Sequence, residues 1–430
     1  MKIDREQDRG KPVIAVIGGG PAGLMASISA AKQNTARIIL FEKNAEPGRK
    51  LLLTGNGRCN LTNASEVRDF TEHVFEGAKF LRKALHAFSP VDTKEFFENL
   101  GVPVKTEAGG RVFPASDRAA DILLTLVREA ESLGVELHRN EAVTQIHPLS
   151  GKKGFSIVTG RSSYFAAACI LCAGGASYPA TGSDGDSHRL AGDMGQPITP
   201  VRAGLSPIKL ADAHSTGLPG VSLRGVRLRL LVKASKQTEV TGDILFTHIG
   251  ISGPAVLRLS RYLPDDRSEY REGQVALAIG LMPGMSDEVF AKHVLRIVTE
   301  NPNRILTNVC KDLAPEAYIS FLLDRIHLSS RTVCRDLKKE ERQRFVHALR
   351  HAEYPAESPP DFGAAMITVG GISTSKIKPG TMESMIVPGL YIAGEALDVD
   401  ADTGGYNLQI AFSTGFVAGK QAATEIITKQ

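Results

Sequence analysis

The sequence predicts an α/β protein in which a Rossmann-like nucleotide-binding domain is interrupted by a β-rich, barrel-like domain carrying a helical subdomain. Three observations predict it. A short apolar run at residues 12–17 ends in Gly18-Gly19-Gly20-Pro21-Ala22-Gly23. A second strand–glycine–helix junction stands near the C-terminus, within residues 391–419. Between about 196 and 360, strand-like pieces separated by turns give way to helical segments.

The first unit is read from its punctuation. PVIAVI (12–17) is a buried strand, LMASISAAKQ has helical composition, and ARIILFEK is a second strand ending in Glu42. Strand, glycine turn, helix and a strand closed by an acid make the βαβ unit, with Gly18, Gly20 and Gly23 in the G-x-G-x-x-G positions. Gly18 makes the turn, Gly20 lets the backbone approach a pyrophosphate, and Gly23 lets helix and sheet pack closely. The diphosphate then meets the helix N-terminus and its free N–H groups. Glu42 can accept hydrogen bonds from ribose hydroxyls, which suits FAD or NAD better than NADP.

Residues 66–100 read as helical, and GVPVKTEAGGRVFPASD (101–117) as a strand-and-turn excursion. A helix follows over 118–134, with Ser116 as a candidate cap and Gly134 as its stop. Residues 135–149 and 152–160 alternate like strands of a small meander. YFAAACILCAGG (164–175) returns to the nucleotide-binding sheet and ends at Gly174 and Gly175. After Gly195 come strand-like pieces suggesting an antiparallel sheet or barrel, then a helical extension at about 284–350. The domains are therefore 1–195 with 361–430, and an insertion at 196–360. The closing junction, YIAGEALD and then GGYNLQIAFSTGFVAG, implies one cofactor held between sequence-distant halves. A simple NAD site does not need this; an extended FAD does.

The formal charge is +4, with residues 196–360 carrying +5 and the remainder −1. Either a mildly basic surface or a site for a phosphate-bearing substrate or nucleic acid accounts for it. Arg224, Arg227 and Arg229 in one strand-like run, and Arg331, Arg335, Lys338, Lys339, Arg342, Arg344 and Arg350 in one helical segment, can meet a phosphate backbone. Asp336, Glu340 and Glu341 interrupt the second group, as in a solvated, ion-laced helix. The charged N-terminus, MKIDREQDRGK, does not read as a secretory signal, and no apolar run approaches the roughly 20 residues that span a bilayer. The chain is read as soluble and cytoplasmic, with no membrane partner. The five cysteines lack the density of a disulfide scaffold. Cys169 and Cys172 form a formal C-x-x-C, but inside a buried-looking strand. No metal motif appears.

Longer motifs carry a resemblance. Gly48-Arg49-Lys50 through Gly55-Asn56-Gly57-Arg58-Cys59-Asn60-Leu61-Thr62-Asn63, Arg111-Val112-Phe113-Pro114, Thr247-His248-Ile249-Gly250-Ile251-Ser252-Gly253-Pro254 and Thr368-Val369-Gly370-Gly371-Ile372 are similar to the BaiN/YhiN-like, or HI0933-like, NAD(P)/FAD-dependent oxidoreductases. That family belongs to the two-dinucleotide-binding flavoproteins. The resemblance spans essentially the whole chain. It implies bound FAD, NAD(P)H as electron donor, and reduction of a carbon–carbon double bond. The acceptor it implies is a small unsaturated molecule, steroid-like acids in one branch, or a ribosomal RNA uridine converted to dihydrouridine in another. A non-catalytic, flavin-bound protein associated with RNA or the ribosome is the alternative of a different class.

By that resemblance the loop after Glu42 and Lys43 passes along the cofactor toward the flavin ring. Arg49, Lys50, Asn56 and Arg58 are then candidates to meet phosphate, flavin or substrate oxygens, with Gly55 and Gly57 permitting close approach. Cys59 is either a proton donor to the substrate carbon or a small buried filler. His248 is either a proton donor or orienting group, or a structural histidine. Pro21, Ala22 and Gly174 are expected beside the cofactor with the fingerprint glycines. Gly394 and Glu395 are expected near diphosphate and ribitol, and Gly405, Tyr406, Asn407 and Leu408 at the flavin pyrimidine. The helix starting there would aim its dipole at the growing negative charge on N1 and O2. Without a second convincing G-x-G-x-x-G unit, NAD(P)H is expected to visit the substrate pocket transiently. Donor preference and oligomeric state are left open.

Overall fold

A computed structural model describes residues 10–149, 153–213, 216–232 and 238–428. The segment 1–9, read above as non-secretory, lies outside the described residues, as do Lys152, His214, Lys233 and Gln237 at the ends of expected strands. The chain divides into two compact units, residues 1–202 with 366–430, and residues 203–365. The boundaries expected from sequence, 195/196 and 360/361, lie a few residues earlier.

The first unit is built on a five-stranded parallel sheet. Its order is Leu390–Ile392, Ala168–Leu171, β1 (Val13–Ile17), β2 (Arg37–Phe41) and Glu136–His138. Parallel strands are covered on both faces, so they read as continuous apolar runs; Ile14, Ala15, Val16 and Leu40 are fully buried. Strand order reverses at β1, and such a reversal opens a crevice at the carboxyl ends of the strands. Helix α1 (Pro21–Ala31) leaves from that end, with every residue from Ala22 to Ala30 buried.

The C-terminal helix, Tyr406–Thr428, covers α1 at backbone contact. A Cβ on Gly415 would lie 2.3 Å from the Ala22 carbonyl oxygen, and one on Gly419 2.0 Å from that of Ala26. The small residues of FSTGFVAG are therefore a packing surface. An antiparallel meander, Val143–Pro148, Phe155–Thr159 and Ser163–Ala166, intervenes in sequence between two sheet strands. The expected helix at 118–134 runs over Ala119–Ser132 with no side-chain cap. Ser116 instead donates to Asp121 at 2.6 Å, because Asp117 turns through a left-handed conformation (φ +56°) before the helix begins.

The second unit is a six-stranded antiparallel sheet with the order Ile208–Lys209, Gly250–Ser252, Thr238–Thr247, Ser222–Val232, Val275–Gly280 and Ala352–Pro355. Its two edges meet through a bridge between Leu210 and Ala356, with Ala211 N donating to Pro355 O and Glu357 N to Lys209 O, both at 3.0 Å. The sheet thereby closes as a small barrel, which removes its free edges. Strand Ser222–Val232 alternates as a barrel wall must: Leu228 and Leu230 are buried, while Arg227 and Arg229 face outward. Helices Asp287–Glu300, Leu306–Val309, Glu316–Arg325 and Lys339–Arg350 lie between the last two strands in sequence.

Three arginines considered for phosphate contact are occupied within this unit. Arg350 is 2% exposed; it donates to the carbonyls of Leu281, Met282 and Met285 and pairs with Asp287 at 2.8 Å. Asp287 also meets Arg227 at 3.4 Å and His351 at 3.1 Å. Arg229 donates to His351 Nδ1 at 2.8 Å. Arg224, Arg331, Arg335, Lys338, Lys339 and Arg344 remain exposed. Among the described residues, no helix is long and apolar enough to cross a membrane.

Candidate cofactor-binding site

The three fingerprint glycines divide into two kinds. A Cβ on Gly18, whose φ is +102°, would lie 2.6 Å from Cys172 O, and one on Gly23 would lie 1.9 Å from Gly18 O. These two are glycine because the chain meets itself. A Cβ on Gly20 would meet nothing within 4 Å, and its backbone is ordinary and extended (φ −77°, ψ −178°). Packing within the described residues therefore does not demand glycine there, and the backbone is open to a group lying against it. Gly20 and Pro21 open α1 with no side-chain cap and no acid in the first turn, so its N–H groups are presented to an anion.

Glu42 ends β2 with its side chain drawn into this turn. Its carboxylate accepts from Gly19 N at 2.9 Å and from Asn44 N and Nδ2 at 2.8 Å each, and the residue is 6% exposed. A carboxylate offers about four acceptor places, so room remains for a ribose hydroxyl. Open cradle, uncapped helix and ribose acid fit the diphosphate and adenosine end of FAD. Arg49 is exposed, donates to Asn44 Oδ1 at 3.1 Å and has no carboxylate partner among the described residues.

The other expected cations are neutralised. Lys43 Nζ pairs with Asp184 at 2.6 Å and Asp186 at 3.0 Å. Burial would lower its pKa, but the hydrogen bonds and charges of those two carboxylates outweigh burial and hold it above the ordinary lysine value. Lys50 pairs with Glu395 at 2.6 Å and also donates to Ser177 Oγ. Ser177 Oγ and Thr368 N donate to the other Glu395 oxygen, at 2.9 and 2.8 Å. Two residues expected beside the cofactor from opposite ends of the chain are thus brought together. Ser177 was not foreseen, and Thr368 was noticed only as part of a motif.

The loop 50–63 is buttressed at its base and exposed at its tip. Leu51 and Cys59 are buried, while Leu52, Leu53, Gly55, Asn56 and Gly57 are exposed. Gly55 and Asn56 are both left-handed at φ +57°. Arg58, expected near the chemistry, is committed elsewhere: it pairs with Glu107 and with Asp117 (2.7 Å) and lies 4.0 Å from the Phe113 ring centroid. The hydrogen bond from Arg58 lowers the Glu107 pKa, and those from Lys105 and Arg58 lower that of Asp117.

Cys59 is 0% exposed, and burial pushes its thiol up to about 12. A side chain with no exposed surface does not touch a substrate, and a weakened acid is a poor proton donor. These are the surroundings of the buried filler, the second of the two readings of this residue. Cys59→Ala is expected to cost about 1 kcal/mol of stability and to leave the rate of flavin reduction and substrate turnover within about twofold. Rapid-mixing spectroscopy and thermal unfolding of the variant check it; a turnover loss beyond about tenfold would restore the proton-donor role.

At the last junction, Gly394 (φ +72°) packs on Ala22, with an added Cβ 2.7 Å from Ala22 Cβ. Gly405 crosses Thr62, whose carbonyl oxygen an added Cβ would approach to 2.3 Å. The side chains that follow serve the fold. Tyr406 is 5% exposed and stacks on His73 at 4.5 Å. Asn407 braces Ala401 and Asp402 through their backbones, and Leu408 packs on the core. Gln409, unforeseen, is fully buried and accepts from Thr62 Oγ1 at 2.6 Å and Thr93 Oγ1 at 2.8 Å. It ties the early motif to the last helix.

Gly174 (φ +79°) faces Ser183, with an added Cβ 3.0 Å from Ser183 Oγ. Ser183 Oγ, Ser187 Oγ and His188 Nε2 are buried without a hydrogen-bond partner among the described residues. Burial lowers the His188 pKa against the opposing charge of Glu395. His248 belongs to the second unit, where it is exposed beside Ile249. Among the described residues, no group of three or more His, Cys, Asp or Glu side chains is placed to hold a metal ion.

Comparison with known proteins matches residues 12–421 to the family described as HI0933-like protein Rossmann domain. The chain is 33% identical to a 3-dehydro-bile acid delta(4,6)-reductase of Clostridium scindens, over 95% of this chain and 98% of that protein. It is 28% identical to a ribosomal RNA dihydrouridine synthase of Escherichia coli, over 94% of this chain and 96% of that protein. Among solved structures, the Mycobacterium smegmatis Sdh1 complex in the apo form is similar with a TM-score of 0.51 at 16% identity, over 97% of this chain and 68% of that one. That likeness shows the fold alone.

Proposed function

The chain belongs to the HI0933-like family and is an FAD-dependent oxidoreductase; from that premise we propose that it reduces a carbon–carbon double bond of a small unsaturated acceptor with electrons from NAD(P)H. Bound FAD supplies hydride transfer to one carbon of the double bond, and the neighbouring carbon takes a proton. Residues of this chain bind and orient the cofactor. The open cradle at Gly20 and the N-terminus of α1 take the diphosphate, Glu42 takes the adenosine ribose, and Arg49 adds charge at the same end. The backbone start of helix Tyr406–Thr428 stabilises the negative charge that reduction places on the ring.

The observation that carries this reading is the Gly20 cradle beside Glu42, a space that none of the described residues fills. A small acceptor is favoured by the higher identity to the bile acid reductase and by the internal occupation of Arg227, Arg229 and Arg350. Ribosomal RNA is the second reading, favoured by the exposed Arg331, Arg335, Lys338, Lys339 and Arg344 and by the relative that makes dihydrouridine.

Anaerobic visible spectroscopy tests the proposal, with NADH and NADPH added separately to the flavin-loaded protein. Bleaching by one of them within seconds is the expected result. Flavin that neither donor bleaches rejects NAD(P)H as donor. Protein that neither retains nor takes up flavin defeats the cofactor assignment itself.

A further inference from the structure

His73 stands outside every motif read from the sequence, and folding brings it to the start of the last helix. Helix Val67–Glu72 ends at this residue, whose carbonyl accepts from Asp402 N at 2.9 Å. Its ring lies flat against Tyr406, with centroids 4.5 Å and planes 16° apart, while Phe70 meets the same tyrosine edge-on at 4.9 Å. His73 Nδ1 is 3.7 Å from Asp402 Oδ2. The histidine side chain is 43% exposed and the aspartate side chain 8%. His73 Nε2 has no hydrogen-bond partner among the described residues.

Asp402 is fixed on its other side. Its Oδ1 accepts from Thr403 N at 2.8 Å, and its carbonyl accepts from Asn407 Nδ2 at 3.1 Å. Gly404 and Gly405 follow at φ +124° and +96°, and a Cβ on Gly404 would lie 2.9 Å from the Tyr406 ring. Imidazole, carboxylate and glycine turn are therefore packed as one. The surrounding elements carry more carboxylates: Glu76 opposite Asp400 on paired strands, and Asp69 and Glu72 on the helix that His73 ends. The neighbouring cations, Arg68 on that helix and Lys79, Arg82 and Lys83 on helix Ala78–Ala87, are exposed. An imidazole gains or loses its charge near neutral pH, and a negative charge added beside it favours the protonated form.

We propose that His73 takes up a proton at Nε2 when the flavin is reduced, so that the charge of the reduced ring is met by an imidazolium held against Tyr406 and Asp402. This rests on the reading that puts the flavin at the start of helix Tyr406–Thr428. In balance, hydride from NAD(P)H leaves one net negative charge on FAD, and one proton from solvent converts neutral His73 to the cation; both are given up when the flavin is reoxidised. The exposed edge of the ring is the path for that proton. Asp402 is a positioning residue, which orients the ring and favours its charged form through Nδ1.

The test follows protonation, not turnover. Full-length, FAD-loaded protein with isotope-labelled histidine is observed by NMR at about pH 7.5, roughly a unit above the ordinary imidazole value. Spectra are taken oxidised and after anaerobic reduction with dithionite, and the His73 signals are those missing from His73→Gln. The slope of the flavin midpoint potential against pH counts the same protons independently. His73 is expected to pass from neutral to imidazolium on reduction, with about two protons taken up per electron pair in wild type and about one in His73→Gln. In Asp402→Asn the second proton is expected only at lower pH. A His73 ring equally protonated in oxidised and reduced protein overturns the proposal, as does equal proton uptake by wild type and His73→Gln. Should His73→Gln fail to fold, wild-type spectra in which no histidine changes state on reduction overturn it by themselves. Protein that takes up no FAD defeats instead the cofactor assignment.

Discussion

Gly20→Val is expected to leave the protein folded and to abolish its hold on FAD. The two halves of that statement come from one observation: a side chain at this position points into space that, beyond its chain neighbours, no described residue occupies within 4 Å. The backbone there is extended and open to any L-residue. Losing glycine at a helix N-cap costs about 1 kcal/mol, so the melting temperature of flavin-stripped protein should move by no more than about 4 °C. FAD affinity should fall by more than about 100-fold, because the branched side chain stands where the diphosphate must approach the helix. Gly18→Val, two residues earlier, is the control with the opposite character. Its Cβ would strike the backbone at Cys172 from a left-handed conformation, so the fold fails first. Calorimetry with FAD and thermal unfolding distinguish the two. A Gly20→Val protein that binds FAD normally would remove the diphosphate from this turn.

Gly419→Val is expected to destabilise the first unit strongly without touching the cofactor turn itself. The added Cβ would sit 2.0 Å from the Ala26 carbonyl oxygen in a contact between two helices that has no flexible side chain to yield. Overpacking of this kind costs about 3 kcal/mol or more, a fall of roughly 6–12 °C in melting temperature for a unit of this size. Because α1 is the helix proposed to meet the diphosphate, FAD retention should fall with it. Differential scanning calorimetry of the variant, with and without FAD, reads both effects. An unchanged melting temperature would mean that the helices do not touch there.

Much of the first unit was legible because its signals are local. Gly18, Gly20, Gly23 and Glu42 stand at spacings fixed by one turn and two strands, and the apolar runs of a parallel sheet announce themselves. The charge pairing was not legible. Lys43 finds Asp184 across 141 residues, Arg58 finds Glu107 across 49, and Lys50 finds Glu395 across 345. Pattern along the chain places a cation in a loop but not the carboxylate that folding brings to it. Cys59 illustrates the same limit: its neighbours in sequence are polar and glycine-rich, yet its side chain turns into the core. Barrel closure was foreshadowed by the strand texture. Its seam, between Leu210 and Ala356, joins residues that no short-range pattern relates.

The helix covering α1 lies several hundred residues after it in the chain, and this orders events during synthesis. Helix α1 leaves the ribosome with its apolar surface bare, and its cover follows some 400 residues later. At about 5–20 residues per second that is a wait of roughly 20–80 s. The inserted unit closes on its own two ends, so it is free to fold during the wait. The nascent chain thus completes its middle before its beginning, and the cofactor has no finished place to bind until that distant helix has been made.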